Sequence, residues 1–127
     1  MSQQLAAIVA VVVLVGLTCF QLLLATGAPL GNYAWGGANR ILPPRLRVAS
    51  VLASLIYVLA ALVILEAAGV TDFVASRELP RTIVWVLAAL FAVGVVMNAI
   101  SRSKKERLMA LVALSLSVLC VIVGLDS

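Results

Sequence analysis

Residues 48–68 read VASVLASLIYVLAALVILEAA, with no charged side chain from Val48 to Leu65. As a helix rising 1.5 Å per residue, such a run reaches across the ~30 Å hydrocarbon layer of a bilayer. Three further runs of the same kind flank it, at Leu5–Ala25, Thr82–Ile100 and Leu108–Leu125. The whole chain of 127 residues is 65% hydrophobic and only 11% charged, with a mean hydropathy of +1.23. Soluble domains carry about 25% charged residues. The expected fold is an all-α membrane protein: one domain over residues 1–127, a bundle of four transmembrane helices with a Gly/Pro-rich first loop.

The charges order those helices. Seven of the nine basic residues lie in two loops, Arg40, Arg45 and Arg47 in the first and Arg102, Lys104, Lys105 and Arg107 in the third. Two crossings separate these loops, so both face the same side, and the positive-inside rule makes that side cytoplasmic. Loops 26–47 and 101–107 are thus expected in the cytoplasm, with both termini, including Asp126, outside. Loop two balances its own charges, and Glu66 just before it tips the region negative. Within loop two, Thr71 or Asp72 is expected to cap a short surface helix that Phe73 and Val74 dip into the interface and Pro80 ends. Trp85 follows one turn inside the boundary, a usual depth for an indole.

The basic residues flank membrane spans, so anionic lipid headgroups are their expected partners and nucleic acid is not. Met1-Ser2-Gln3-Gln4 carries no basic residue, and the first apolar run exceeds the about 7–15 residues of a signal sequence, so that span is expected to stay. Each half of the chain runs span, basic loop, returning span, the outline of a weak duplication.

Enzymatic chemistry is not expected. There is no histidine, no paired carboxylate and no cysteine beside a base, and neither a cofactor nor a metal is implied. Cys19 and Cys120 fall about two turns apart in height, too far for a disulfide, and read as small buried apolar residues. The glutamate of small multidrug transporters is missing from the first span, as is a Cys-x-x-Cys pair, and no G-x-x-x-x-G-K-[ST] phosphate loop occurs.

The few polar residues inside the spans recur at helical spacing. Thr18, Gln21 and Ala25 share a face of the first helix, as do Ser50, Ser54 and Tyr57 of the second. Phe91, Gly94, Asn98 and Ser101 do so on the third, and Ala110, Ala113, Ser117, Cys120 and Gly124 form a stripe of small residues on the fourth. Small and hydroxyl side chains let membrane helices approach and bond across. Most of the polar groups fall in the cytoplasmic half. Gln21, Ser50, Ser54 and Asn98 are therefore the candidates for a polar pocket or pathway opening to the cytoplasm. No acidic residue lies mid-membrane, which counts against proton coupling.

Loop one reads GAPLGNYAWGGANRILPPRLR over residues 27–47. Its glycines and prolines preclude a continuous helix. Tyr33 and Trp35 can anchor it at the headgroup level, and glycine-rich backbone beside Arg40 could form an amide concavity for an anion. Trp35, Arg40, Arg45, Arg47, Arg102 and Arg107 are the expected loop contacts to lipid or an anion.

The run Gly27-Ala-Pro-x-Gly-x-x-Ala-Trp-Gly-Gly37, then Leu42-Pro-Pro-Arg-Leu-Arg47, and Asn98-x-x-Ser-Arg-Ser-x-x-Glu-Arg107 resemble a group of small bacterial four-span membrane proteins. The resemblance covers nearly the whole chain. It implies the four-span fold and the bacterial inner membrane, and it carries no activity or catalytic residue. Together these readings favour a non-enzymatic accessory or binding protein acting through its cytoplasmic side, as a homo-oligomer or with a larger membrane protein. The other reading is a small-solute or ion transporter or channel formed by a homo-oligomer.

Overall fold

The computed structural model describes residues 1–125; Asp126 lies outside the described residues. It contains four long helices: α1 Gln3–Ala25, α2 Pro44–Ala67, α3 Glu78–Ala99 and α4 Lys104–Leu125. Each is long and apolar enough to cross a membrane, and no strand occurs among the described residues. The chain is a small polytopic membrane protein. In hydrocarbon every backbone group must be paired inside its own segment, so even a valine-rich run such as Val9 to Val15 is helical against its weak propensity.

The helices begin two to four residues before the apolar runs, because each starts where capping chemistry allows rather than where hydrophobicity begins. The Ser2 hydroxyl accepts the Leu5 N–H at 3.1 Å and starts α1. Pro44 occupies the first turn of α2, where a missing N–H costs nothing. At the other end of α1, Gly27 is left-handed (φ 95°), and its N–H and that of Ala28 return to Leu24 and Leu23. Gly69 (φ 75°) ends α2 in the same way.

The expected short helix in loop two does not form. The Glu66 carboxylate takes the Thr71 hydroxyl at 2.7 Å and the amides of Phe73 and Val74 at 3.0 Å, which winds the segment around one side chain. Pro80 does not terminate a helix there. It sits in the first turn of α3, again a position with no N–H to lose.

Around the bundle the neighbours are α1–α2, α2–α3, α3–α4 and α4–α1, with α3 and α4 packed most extensively. The small stripe of α4 makes that contact. Ala113 lies beside Gly94, the Ser117 hydroxyl donates to the Ala88 carbonyl at 2.9 Å, and Gly124 lies where any side chain would strike the Trp85 ring. Cys120 is fully buried, but Cys19 faces outward, so the expectation of burial fails for the first cysteine. Its position places it on the lipid side of α1, opposite the Ala6, Ala10 and Leu14 face.

The main apolar core lies at one end: it comes from the first half of α1 (Ala6, Ala10, Leu14), the last turns of α2 (Ile64, Ala67), the start of α3 (Val84) and the end of α4 (Val123), while Leu24 and Leu42 are buried at the other end. The Gln3 amide donates to the Val123 carbonyl at 2.9 Å and the Gln4 amide to Ala68 at 3.1 Å, which satisfies carbonyls at two helix ends there. The opposite end, where loop one lies, is built differently.

Candidate functional site

Loop one is folded. The Gly31 N–H donates to the Arg40 carbonyl at 2.8 Å and closes the loop at its base, and two short turns, Gly31–Tyr33 and Trp35–Gly37, shape what lies between. Trp35 (φ 52°), Gly36 (φ 84°) and Gly37 (φ 74°) are left-handed in succession. For Trp35 this costs about 1–2 kcal/mol, so the fold around it must hold it there.

Three contacts do so. The Trp35 indole N–H donates to the Ser50 hydroxyl on α2 at 3.0 Å. The Gly36 N–H donates to the Glu106 carboxylate on α4 at 2.9 Å. The Ser103 hydroxyl donates to the Asn32 carbonyl at 2.6 Å, while the Asn32 amide crosses the loop to Gly37 at 2.8 Å. Ser103 also accepts the Glu106 N–H at 3.3 Å. Ser103-x-x-Glu106 thus has the spacing of a capping box, but its glutamate reaches to loop one instead of closing back on the cap.

Beneath the loop is a cavity of about 380 Å³ among the four helices. Tyr33 and Trp35 form its roof, and Ala60 and Leu116, at the edge of the packed core, form its floor. Phe20, Phe91 and Met109 supply much of the wall. The polar groups on it are few: Gln21, Tyr57, Asn98 and Glu106. Gln21 is only 7% exposed, its amide lies against the Tyr57 hydroxyl, and its Oε1 is buried with no hydrogen-bond partner. An orphaned buried acceptor costs about 1–3 kcal/mol and marks a place where something else can bind.

The structure therefore brings together half of the expected polar set. Gln21 and Asn98 line the cavity; Ser50 and Ser54 do not. Ser50 is fully buried as the anchor of Trp35, and the Ser54 hydroxyl bonds back to the Ser50 carbonyl at 2.9 Å. Trp35 is a roof residue. Arg47 braces the loop, donating to the Leu42 carbonyl at 2.9 Å with its guanidinium against Gly27. Arg40, Arg45, Arg102 and Arg107 are exposed. Backbone for an anion is present, but at Gly36 rather than beside Arg40, and the chain's own Glu106 already takes that amide.

Glu106 is the candidate site residue that sequence reasoning missed. It is 7% exposed, in a loop otherwise read as a block of positive charge. Its signal was the capping-box spacing from Ser103, together with its being the one acid among four bases. From the sequence, Tyr57 reads as part of a packing stripe and Tyr33 as a headgroup anchor, and Phe20 carries no signal. In the structure Tyr33 and Phe20 form a T-shaped pair with centroids 6.4 Å apart, and the Lys105 ammonium lies over the Tyr33 ring at 5.6 Å.

Comparison of the chain with family models, with curated proteins and with solved structures finds no match.

Proposed function

We propose that this protein binds a small molecule in the cavity under loop one, and that it does so without catalysing a reaction. Gln21, on the wall of a 380 Å³ space and with a buried, unpartnered Oε1, carries this reading. A volume in that range, an apolar wall and a few placed polar groups are the ordinary anatomy of a ligand site. Loop one acts as its lid, latched to α2 through Trp35 and to α4 through Glu106. By its charges the loop-one side is cytoplasmic, in a bacterial inner membrane. There the exposed Arg102, Lys104 and Lys105 hold anionic headgroups around the lid. The outward apolar faces of the helices leave room for a second copy or a larger membrane partner.

Mass spectrometry of protein purified in nanodiscs tests the reading. A small molecule enriched in a fixed ratio to the protein, and absent from a Gly94→Leu variant with its cavity filled, is the expected result. Equal recovery from both would place binding elsewhere.

One observation favours transport as a second reading: Glu106 gives the cavity an ionisable group, which the sequence did not place there. The packed core closes the far end, so a pathway would need rearrangement or several copies. Solute flux into liposomes that Gln21→Leu and Asn98→Leu abolish would favour it.

A further inference from the structure

We infer that the cavity's ligand is a neutral, lipid-soluble molecule with one hydroxyl or N–H head, and that it arrives sideways from the bilayer between α2 and α3. This rests on the binding reading above and names its ligand class and route.

The route follows from two side chains. Ile56 on α2 and Leu90 on α3 both line the cavity, yet each is 60% exposed on the outside of the bundle. The wall is therefore breached between these helices, at membrane depth, where the medium outside is lipid. The floor is shut by the buried Ala60 and Leu116, and the roof is less open than the wall: Trp35 is 40% exposed but pinned to Ser50.

The head group follows from what is left unsatisfied. Gln21 Oε1 is an acceptor without a donor, so it selects a ligand that brings one. A charged head is disfavoured, because it would leave water for a largely apolar wall; the one carboxylate there, Glu106, repels an anion and is already taken by the Gly36 amide. Apart from Tyr57 and Asn98, the remaining surface is aromatic and aliphatic and suits a hydrocarbon body.

The experiment uses the full chain in nanodiscs with Trp85→Phe, so that Trp35 in the roof is the one tryptophan reporting. Three probes of equal tail length are titrated: dodecanol, dodecyl methyl ether and dodecyltrimethylammonium. Saturable change in Trp35 fluorescence with dodecanol is expected, with about tenfold weaker binding of the ether, which lacks the donor. Gln21→Leu and the unbranched Gln21→Met should each erase the difference between alcohol and ether while keeping ether binding. Retained ether binding also shows that the variant is folded. Narrowing the breach with Leu90→Trp, read by native mass spectrometry, should slow dodecanol uptake without changing the alcohol-to-ether ratio.

Equal binding of alcohol and ether, or tighter binding of the ammonium, would overturn the ligand class and leave cavity binding standing. Unchanged uptake with Leu90→Trp would overturn the route. No saturable binding of any probe would remove both this inference and the reading on which it rests.

Discussion

The Glu106 carboxylate accepts the Gly36 amide proton at 2.9 Å across 70 residues of sequence. This joins the first turn of α4 to the tip of loop one, and so couples the second helical hairpin to the lid over the cavity. A backbone N–H in left-handed geometry has few partners available, and a carboxylate is a strong one. Together with Trp35 on Ser50, the bond holds a strained loop conformation that its own local sequence does not favour.

Glu106→Ala should therefore destabilise the lid more than the bundle. It removes a charge-assisted hydrogen bond to the Gly36 N–H, at a cost of about 1–3 kcal/mol, whereas Glu106→Gln keeps an acceptor and should cost less than half as much. Limited proteolysis at Arg40 reads the lid, and thermal unfolding in detergent reads the bundle. Equal protection of loop one in wild type and Glu106→Ala would show that the latch does not hold it.

Gly37→Ala should also release the loop, by steric means. Gly37 is left-handed, and a Cβ there would collide with the Ser103 side chain. Ser103→Gly in the same chain removes the collision and also the bond to Asn32. The double variant should then recover only part of the lost proteolytic protection. Full recovery would mean that the hydroxyl adds nothing.

The four spans and the packing stripe on α4 were legible in the sequence because each depends on local pattern: apolar length for the first, small residues at helical spacing for the second. Ser50 lies on a buried face outside the cavity lining, and its partner, the Trp35 indole, reaches it only through tertiary folding. Glu106 was hidden for the same reason. In a charge sum it is one unit among four positive ones, and only the path of loop one turns it into a buried acceptor. A pocket near Gln21 and Asn98 was legible, but its size, its roof and its apolar wall were not. Periodicity tells which side chains face inward, but the space left between them depends on helix separation. In loop two, the capping residues Thr71 and Asp72 suggested a helix, and the many-armed Glu66 carboxylate overrode them.

Trp35→Phe and Ser50→Ala each remove one partner of the same bond, and Phe accepts the backbone position as well as Trp does. Each should cost about 1 kcal/mol, and the double variant less than the sum. A double-mutant cycle on thermal stability measures the coupling. Strict additivity would mean that the indole N–H is satisfied elsewhere.

Orientation can be read chemically. Ala38 in loop one and Ser76 in loop two are both exposed. In a chain with Cys19→Ala and Cys120→Ala, Ser76→Cys should react with a membrane-impermeant maleimide on intact cells, and Ala38→Cys only after lysis. The reverse pattern would invert the topology and move the lid to the outer face.

Gly94→Leu should fill the cavity. A Cβ at Gly94 meets only the Ala113 methyl, at 3.7 Å, so the first added carbon is accommodated and the isobutyl group extends into open space. Cavities lined by apolar groups lose contact energy in proportion to their volume, about 24 cal/mol per Å³ in large-to-small core variants, and filling one reverses that loss. Where most substitutions of a helix-packing glycine by leucine destabilise a membrane bundle, this one should raise the midpoint of thermal unfolding. Gly124→Leu, whose Cβ would meet the Trp85 ring, is the control and should lower it sharply. If Gly94→Leu also lowers it, the space beneath loop one closes in solution, and no ligand site of this volume exists there.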